Sequence, residues 1–170
     1  MKFGIVIFPS QEIQDRANNL RKRYDTDYAL IPPHITIKRT FEAVDSDTTE
    51  MVAYLKKTAA DIQPFGIKVT KISTSYPVSN ALYLKIEPSE QLVALHEAMY
   101  RGYFTQTPAF SFIPCITVAQ NLSDQEHADV FGRLKMKQFQ YEQNVDQFHL
   151  ISQQEDDSWK IIETFQLGKK

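Results

Sequence analysis

The chain writes one short pattern twice. "IPPHITIKRTF" runs from Ile31 to Phe41, and "FIPCITVAQ" from Phe112 to Gln120. Both fit I-P-[H/C]-I-T-[I/V], with Pro33 as an extra residue ahead of the first histidine. His34 and Cys115 lie 81 positions apart in a chain of 170 residues. That separation is too long for a solenoid repeat, and there are only two copies, so the pattern predicts two related halves, each offering an equivalent strand.

The flanking sequence predicts β α β α β β α β α β β β. Residues 2–9 are β-rich and mostly apolar, which predicts a buried strand. Ser10 then caps a helix over 11–24, with Ile13, Ala17 and Leu20 on one face. Residues 34–42 read as a strand, and Asp45 to Asp47 as the cap of a helix over 48–61. Alternation predicts strands at 65–75 and 81–87, joined by a turn. Ser89 opens a third helix with a partial cap, since Leu92 stands where a capping box needs Glu. The second repeat gives a strand at 112–120. Ser123 and Glu126 form a full capping box for a fourth helix. Strands follow at 138–142, 145–152 and 159–167, with "QEDDSW" as a hairpin turn. Short turns between strand pairs argue for antiparallel or mixed sheets with helices packed on one side, an α+β fold.

Composition removes some partners. The net charge of −2 gives no global polycation, so non-specific nucleic-acid binding of high affinity is not expected. One cysteine cannot close an internal disulfide, and this fits a reducing, cytoplasmic setting. No stretch approaches the roughly 20 apolar residues of a membrane span. The opening apolar run is too short for a signal peptide.

On a strand, residues two apart share a face. His34 and Thr36 therefore stand together while Ile35 and Ile37 enter the core. Lys38 falls on the His34 face by the same count. Cys115 and Thr117 share a face while Ile116 and Val118 enter the core. If a pseudo-twofold joins the strands, one cleft holds an imidazole, a thiol, two hydroxyls and an ammonium. Converging donors suit a phosphate diester, and a histidine moves protons near neutral pH. A single His-x-Thr is common by chance; the duplication with its shared flanks is what raises it above a structural accident. The other signals are weaker. Arg21, Lys22 and Arg23 read as a solvated helix face, with contact to an RNA end as the functional alternative. His96 and His127 are expected at the surface, and His149 as structural or outward-facing. No histidine has zinc-ligand spacing, so no metal is expected.

These stretches resemble the two-histidine phosphoesterase superfamily, whose signature is His-x-Thr-x occurring twice. The likeness is nearest to its YjcG-like branch, relatives of the LigT-type RNA ligases and cyclic phosphodiesterases. It rests on "KFGIVIFPS", "LRKRYD", "PPHITIK", "FIPCITVAQNLSD" and "FHLISQQEDDSWKIIETFQLG", and so covers essentially the whole chain. The resemblance implies a single bilobal domain over 1–170, with two α+β lobes of antiparallel sheet, helices outside and the active cleft between. It implies action on 2′,3′-cyclic or 2′-5′ phosphodiesters of a nucleotide or RNA end, with no obligatory metal and no cofactor. It makes His34 the first catalytic histidine, and Thr36 and Thr117 the phosphate-binding hydroxyls. Cys115 stands where the second histidine belongs. A thiol can give a proton but brings no positive charge to a developing phosphorane. Two expectations follow: an esterase weakened at its second motif, or a degenerate module that binds nucleotide or RNA phosphate and turns over little.

Overall fold

The structure, a computed structural model, describes residues 1–105, 107–108 and 111–168. Its elements are β1 (Lys2–Ile7), α1 (Gln11–Tyr24), β2 (Ile35–Glu42), α2 (Thr48–Ala60), β3 (Phe65–Thr74), β4 (Leu82–Ile86), α3 (Glu90–Ala98), β5 (Cys115–Ala119), α4 (Asp124–Leu134), β6 (Tyr141–Val145), β7 (Gln147–Gln153) and β8 (Trp159–Gln166). The expected order is observed. Ser10, Ser89 and Ser123 each cap a helix through the side chain, and the Ser123–Glu126 capping box is complete. Asp47 does not cap as expected: a 3-10 turn at Asp45–Asp47 leads straight into α2, and Asp47 is itself helical in backbone with no side-chain cap bond. The third helix runs from Glu90 and stops at Ala98. The second repeat is strand only from Cys115.

All eight strands form one curled antiparallel sheet, in the order β6-β3-β4-β5-β2-β1-β7-β8. The halves mirror each other about β5 and β2. One is β5-β4-β3-β6, the other β2-β1-β7-β8, and β1-α1-β2 matches β4-α3-β5 in layout. The sheets of the two expected lobes are thus continuous, joined where Ile35 pairs with Ile116. One face is apolar and buried: Phe3, Ile5, Ile35, Ile37, Ile116, Val118, Phe148 and Leu150 join helix residues such as Ile13, Leu55 and Leu95 in the core. An antiparallel sheet can leave its other face to solvent. That open face carries the polar halves of both repeats. Among the described residues no helix is long and apolar enough to cross a membrane.

Candidate active site

The two repeats meet at the join between the halves. Ile35 and Ile116 are antiparallel partners. Extending that register by one residue sets His34 opposite Thr117 and Thr36 opposite Cys115. Directly opposite residues share a face, with Cβ atoms typically about 4.5–5.5 Å apart. All four side chains line one cavity of about 400 Å³. His96 and Tyr100 from the end of α3, and Phe112 and Ile113 from the segment leading into β5, line it too.

His34 comes to the cleft with its tautomer set. Its Nδ1 lies 2.9 Å from the carbonyl oxygen of Pro32. A carbonyl only accepts, so Nδ1 carries the hydrogen, and in the neutral ring Nε2 keeps a lone pair. Burial lowers the pKa of His34 below its ordinary value; the Pro32 carbonyl opposes this, the Arg21 charge adds to it, and Asp25 and Asp27 oppose it. At neutral pH the ring is a neutral base. Cys115 is its contrast. Burial pushes the thiol up to about 11, against a smaller downward pull from the Arg39 charge. It is a protonated, neutral group.

Lys38 is not on the face the strand count gives it. Val6 pairs with Thr36, but Ile5 pairs with Lys38, so β2 advances two residues while β1 advances one. Such a bulge re-aims the side chains after it. Lys38 turns to the helix side with Ile5 and is only 3% exposed. Its Nζ donates to the carbonyl oxygen of Met99 at 2.9 Å and sits 4.1 Å from the Tyr100 ring centre. Burial lowers its pKa. The ammonium is therefore occupied by that carbonyl, although Lys38 still lines the cavity. The same bulge exposes Arg39, which lines the cavity and acts electrostatically on Cys115. No periodicity in the sequence could find it, because the bulge breaks the period.

The basic run divides. Lys22 and Arg23 are exposed, as a solvated face requires. Arg21 is not: it is 2% exposed. Its Nε bonds Asp25 Oδ2 at 3.0 Å, Nη1 bonds Asn18 Oδ1 at 2.8 Å and Nη2 bonds the Ile31 carbonyl at 2.6 Å. Asp25 Oδ1 in turn accepts from Asp27 N at 2.8 Å and from Gln120 Nε2 at 2.7 Å. The pair thus ties the loop before His34 to the end of β5. The four donors and acceptors satisfy a buried ion pair that would otherwise be costly. The spacing of Arg21 and Asp25 is visible in sequence; their long-range partners are not.

Of the remaining histidines, His96 and His127 depart from expectation and His149 does not. His96 is half-buried, stacked on Phe112 at 4.0 Å and 7° between planes, and held below its ordinary pKa by burial. Its partner lies in a distant loop, so helix periodicity could not place it in the cleft. His127 is buried rather than superficial, with Nε2 2.6 Å from Thr74 Oγ1. His149 is structural, with Nδ1 2.9 Å from Thr164 Oγ1. Among the described residues no group of three or more His, Cys, Asp or Glu is gathered as metal ligands would be.

The family model described as the 2′-5′ RNA ligase superfamily matches residues 9–157. A Bacillus cytotoxicus protein bearing the name "Putative phosphoesterase" is 51% identical, covering 99% of this chain and 98% of its own. A Bacillus mycoides protein with the same description is 52% identical over 100% of this chain and 99% of its own. In fold, the chain resembles TT0787 of Thermus thermophilus, with a TM-score of 0.75 at 16% identity and complete coverage of both chains. It also resembles Escherichia coli LigT, whose complex with 3′-AMP gives a TM-score of 0.73 at 14% identity, covering 99% and 98% of the two chains. The chain belongs to the 2′-5′ RNA ligase superfamily, the two-histidine phosphoesterases.

Proposed function

We propose that the cleft acts on phosphodiesters of a nucleotide or RNA end, 2′,3′-cyclic or 2′-5′, as a hydrolase driven by His34. The observation that carries this reading is the Ile35–Ile116 register, which sets His-x-Thr and Cys-x-Thr side by side on the open face. Thr36 and Thr117 are the hydroxyl donors to the phosphate oxygens, and Arg39 is a cation lining the same cavity. LigT bound to 3′-AMP supports a nucleotide phosphate as the ligand class. In the reaction, a water oxygen attacks phosphorus and its proton passes to His34 Nε2. The phosphorus–oxygen bond to the leaving ribose oxygen breaks, and that oxygen takes a proton from the Cys115 thiol or from solvent. Arg39 contributes the positive charge that an imidazolium at position 115 would have brought. No cofactor or metal enters this scheme.

A second reading is favoured by one observation, the Cys115 thiol at about 11. So weak an acid suits a module that holds nucleotide or RNA phosphate and releases it unchanged. Incubation with a 2′,3′-cyclic nucleotide decides between them. The esterase reading predicts a ring-opened product from the native protein and a loss of about 10²-fold or more in His34→Ala, the size of one acid–base contribution. Calorimetric binding without any product would give the cleft to the binding module.

A further inference from the structure

A second cavity, of about 600 Å³, lies on the open face beyond β2, and its walls away from β2 take no part in the reaction above. It shares His34, Thr36 and Arg39 with the first cavity. Its other walls come from β1, β7, β8 and the loop before His34, and include Gly4, Val6, Ile151, Gln153, Trp159 and Asp27. Ligand pockets commonly run about 300–1,000 Å³, largely apolar with a few fixed polar groups. Both cavities fall within that size range, the second with a more polar lining, and the phosphate-facing strand is their common wall.

The composition of the second cavity is specific. The chain has one tryptophan, and it is here. Trp159 is half-buried and packs against Val6, Ile31 and Ile151, a small apolar cluster separate from the main core. A Cβ built on Gly4 would sit 3.7 Å from Trp159 Cζ3, an ordinary contact distance, which places the edge of the indole over β1. The Trp159 backbone is fixed in turn, its N–H donating to the Leu30 carbonyl at 2.9 Å. Beside the ring, Gln153 brings an amide and Asp27 a carboxylate, while Lys2 stands exposed at the mouth. A planar aromatic surface with hydrogen-bonding groups, in a cavity that shares its β2 wall with a phosphate site, suits a nucleoside.

We infer that this cavity is a second nucleoside subsite, in which Trp159 stacks a base. The preferred substrate then carries a nucleoside on each side of its phosphodiester, one in each cavity, with the phosphorus between them over His34 and Thr36. The inference rests on the phosphoester reading and narrows it: a 2′-5′-linked dinucleotide fills both cavities, and a 2′,3′-cyclic mononucleotide fills one.

The single tryptophan makes the test direct. Its fluorescence reports on this cavity alone, without mutation. Titration of the native protein with 2′-5′-linked diadenosine monophosphate should quench it, whereas adenosine 2′,3′-cyclic phosphate should bind in calorimetry with little quenching. Trp159→Ala should weaken the dinucleotide about tenfold or more and leave the cyclic mononucleotide unchanged, as loss of one base stack predicts. Trp159→Phe, which keeps a ring on the apolar cluster, should retain most of the dinucleotide affinity and guards against a folding defect. Equal quenching by both ligands, or equal affinities in Trp159→Ala, would overturn the subsite while the phosphoester reading stands. Absence of binding by either ligand in calorimetry would overturn both.

Discussion

The helices α1 and α3 hold equivalent places in the two halves, and their ends are tied down by different chemistry. The end of α1 is fastened to the end of β5: the Tyr24 carbonyl accepts from Gln120 N at 3.1 Å, and Asp25 accepts from the Gln120 side chain. The end of α3 is fastened to β2 by one ammonium, Lys38 Nζ to the Met99 carbonyl, with the Tyr100 and Phe104 rings around it. The first tie is a satisfied ion pair whose charges reach His34. The second is a lone cation in an aromatic cage, and the motif beside it carries a thiol. The equivalent slots of the two halves thus present an imidazole of fixed tautomer in one and a protonated thiol in the other. The two halves share a layout, and the groups they bring to it differ.

The comparison breaks most readily at Arg21. Arg21→Met removes one partner of a buried pair and strands the Asp25 carboxylate. We expect a loss of about 3–5 kcal/mol in denaturant unfolding. Arg21 also lowers the His34 pKa while Asp25 and Asp27 raise it. In protein that remains folded, the acidic limb of any activity profile should therefore move to higher pH. An unchanged unfolding midpoint would show that the pair is not a tie at all.

Arg39 and Lys38 sharpen the same comparison, because the bulge exchanges their faces. Arg39→Met should weaken binding of a phosphate-bearing nucleotide by about 1.5–3 kcal/mol, the worth of a hydrogen bond to a charged group. Lys38→Met should scarcely alter that affinity. It should instead lower stability by about 1–3 kcal/mol, the cost of leaving the Met99 carbonyl unsatisfied. Calorimetry of both variants tests the pair: a larger binding loss at Lys38 than at Arg39 would restore the unbroken strand period.

Much of this was legible in the sequence. Three serine caps, the strand alternation and the twin motifs give the element order, since each is a local signal. The pairing of the motifs is also legible, because symmetry at half-chain separation leaves few other arrangements. What escaped was long-range or irregular. The bulge at Thr36–Lys38 depends on pairing with β1, so counting along β2 alone misplaces Lys38 and hides Arg39. Arg21 looks like its exposed neighbours until the carbonyl of Ile31 folds back over it. His96 joins the cleft only because Phe112 arrives from a separate segment to stack on it.

The central claim is that Cys115 occupies the place of a proton-transferring partner to His34, across one phosphate. The pH dependence of 2′,3′-cyclic nucleotide turnover by the native protein and by Cys115→His tests it most directly. In the native protein, activity should fall only as acid protonates His34, through a pH below that of an ordinary histidine, with no alkaline limb until the thiol's range near 11. Cys115→His should raise turnover by about 10²-fold or more and make the profile bell-shaped near neutrality, one limb for each imidazole. An unaltered rate with an unaltered profile would contradict the claim, and with it the reading of the two repeats as halves of one active site.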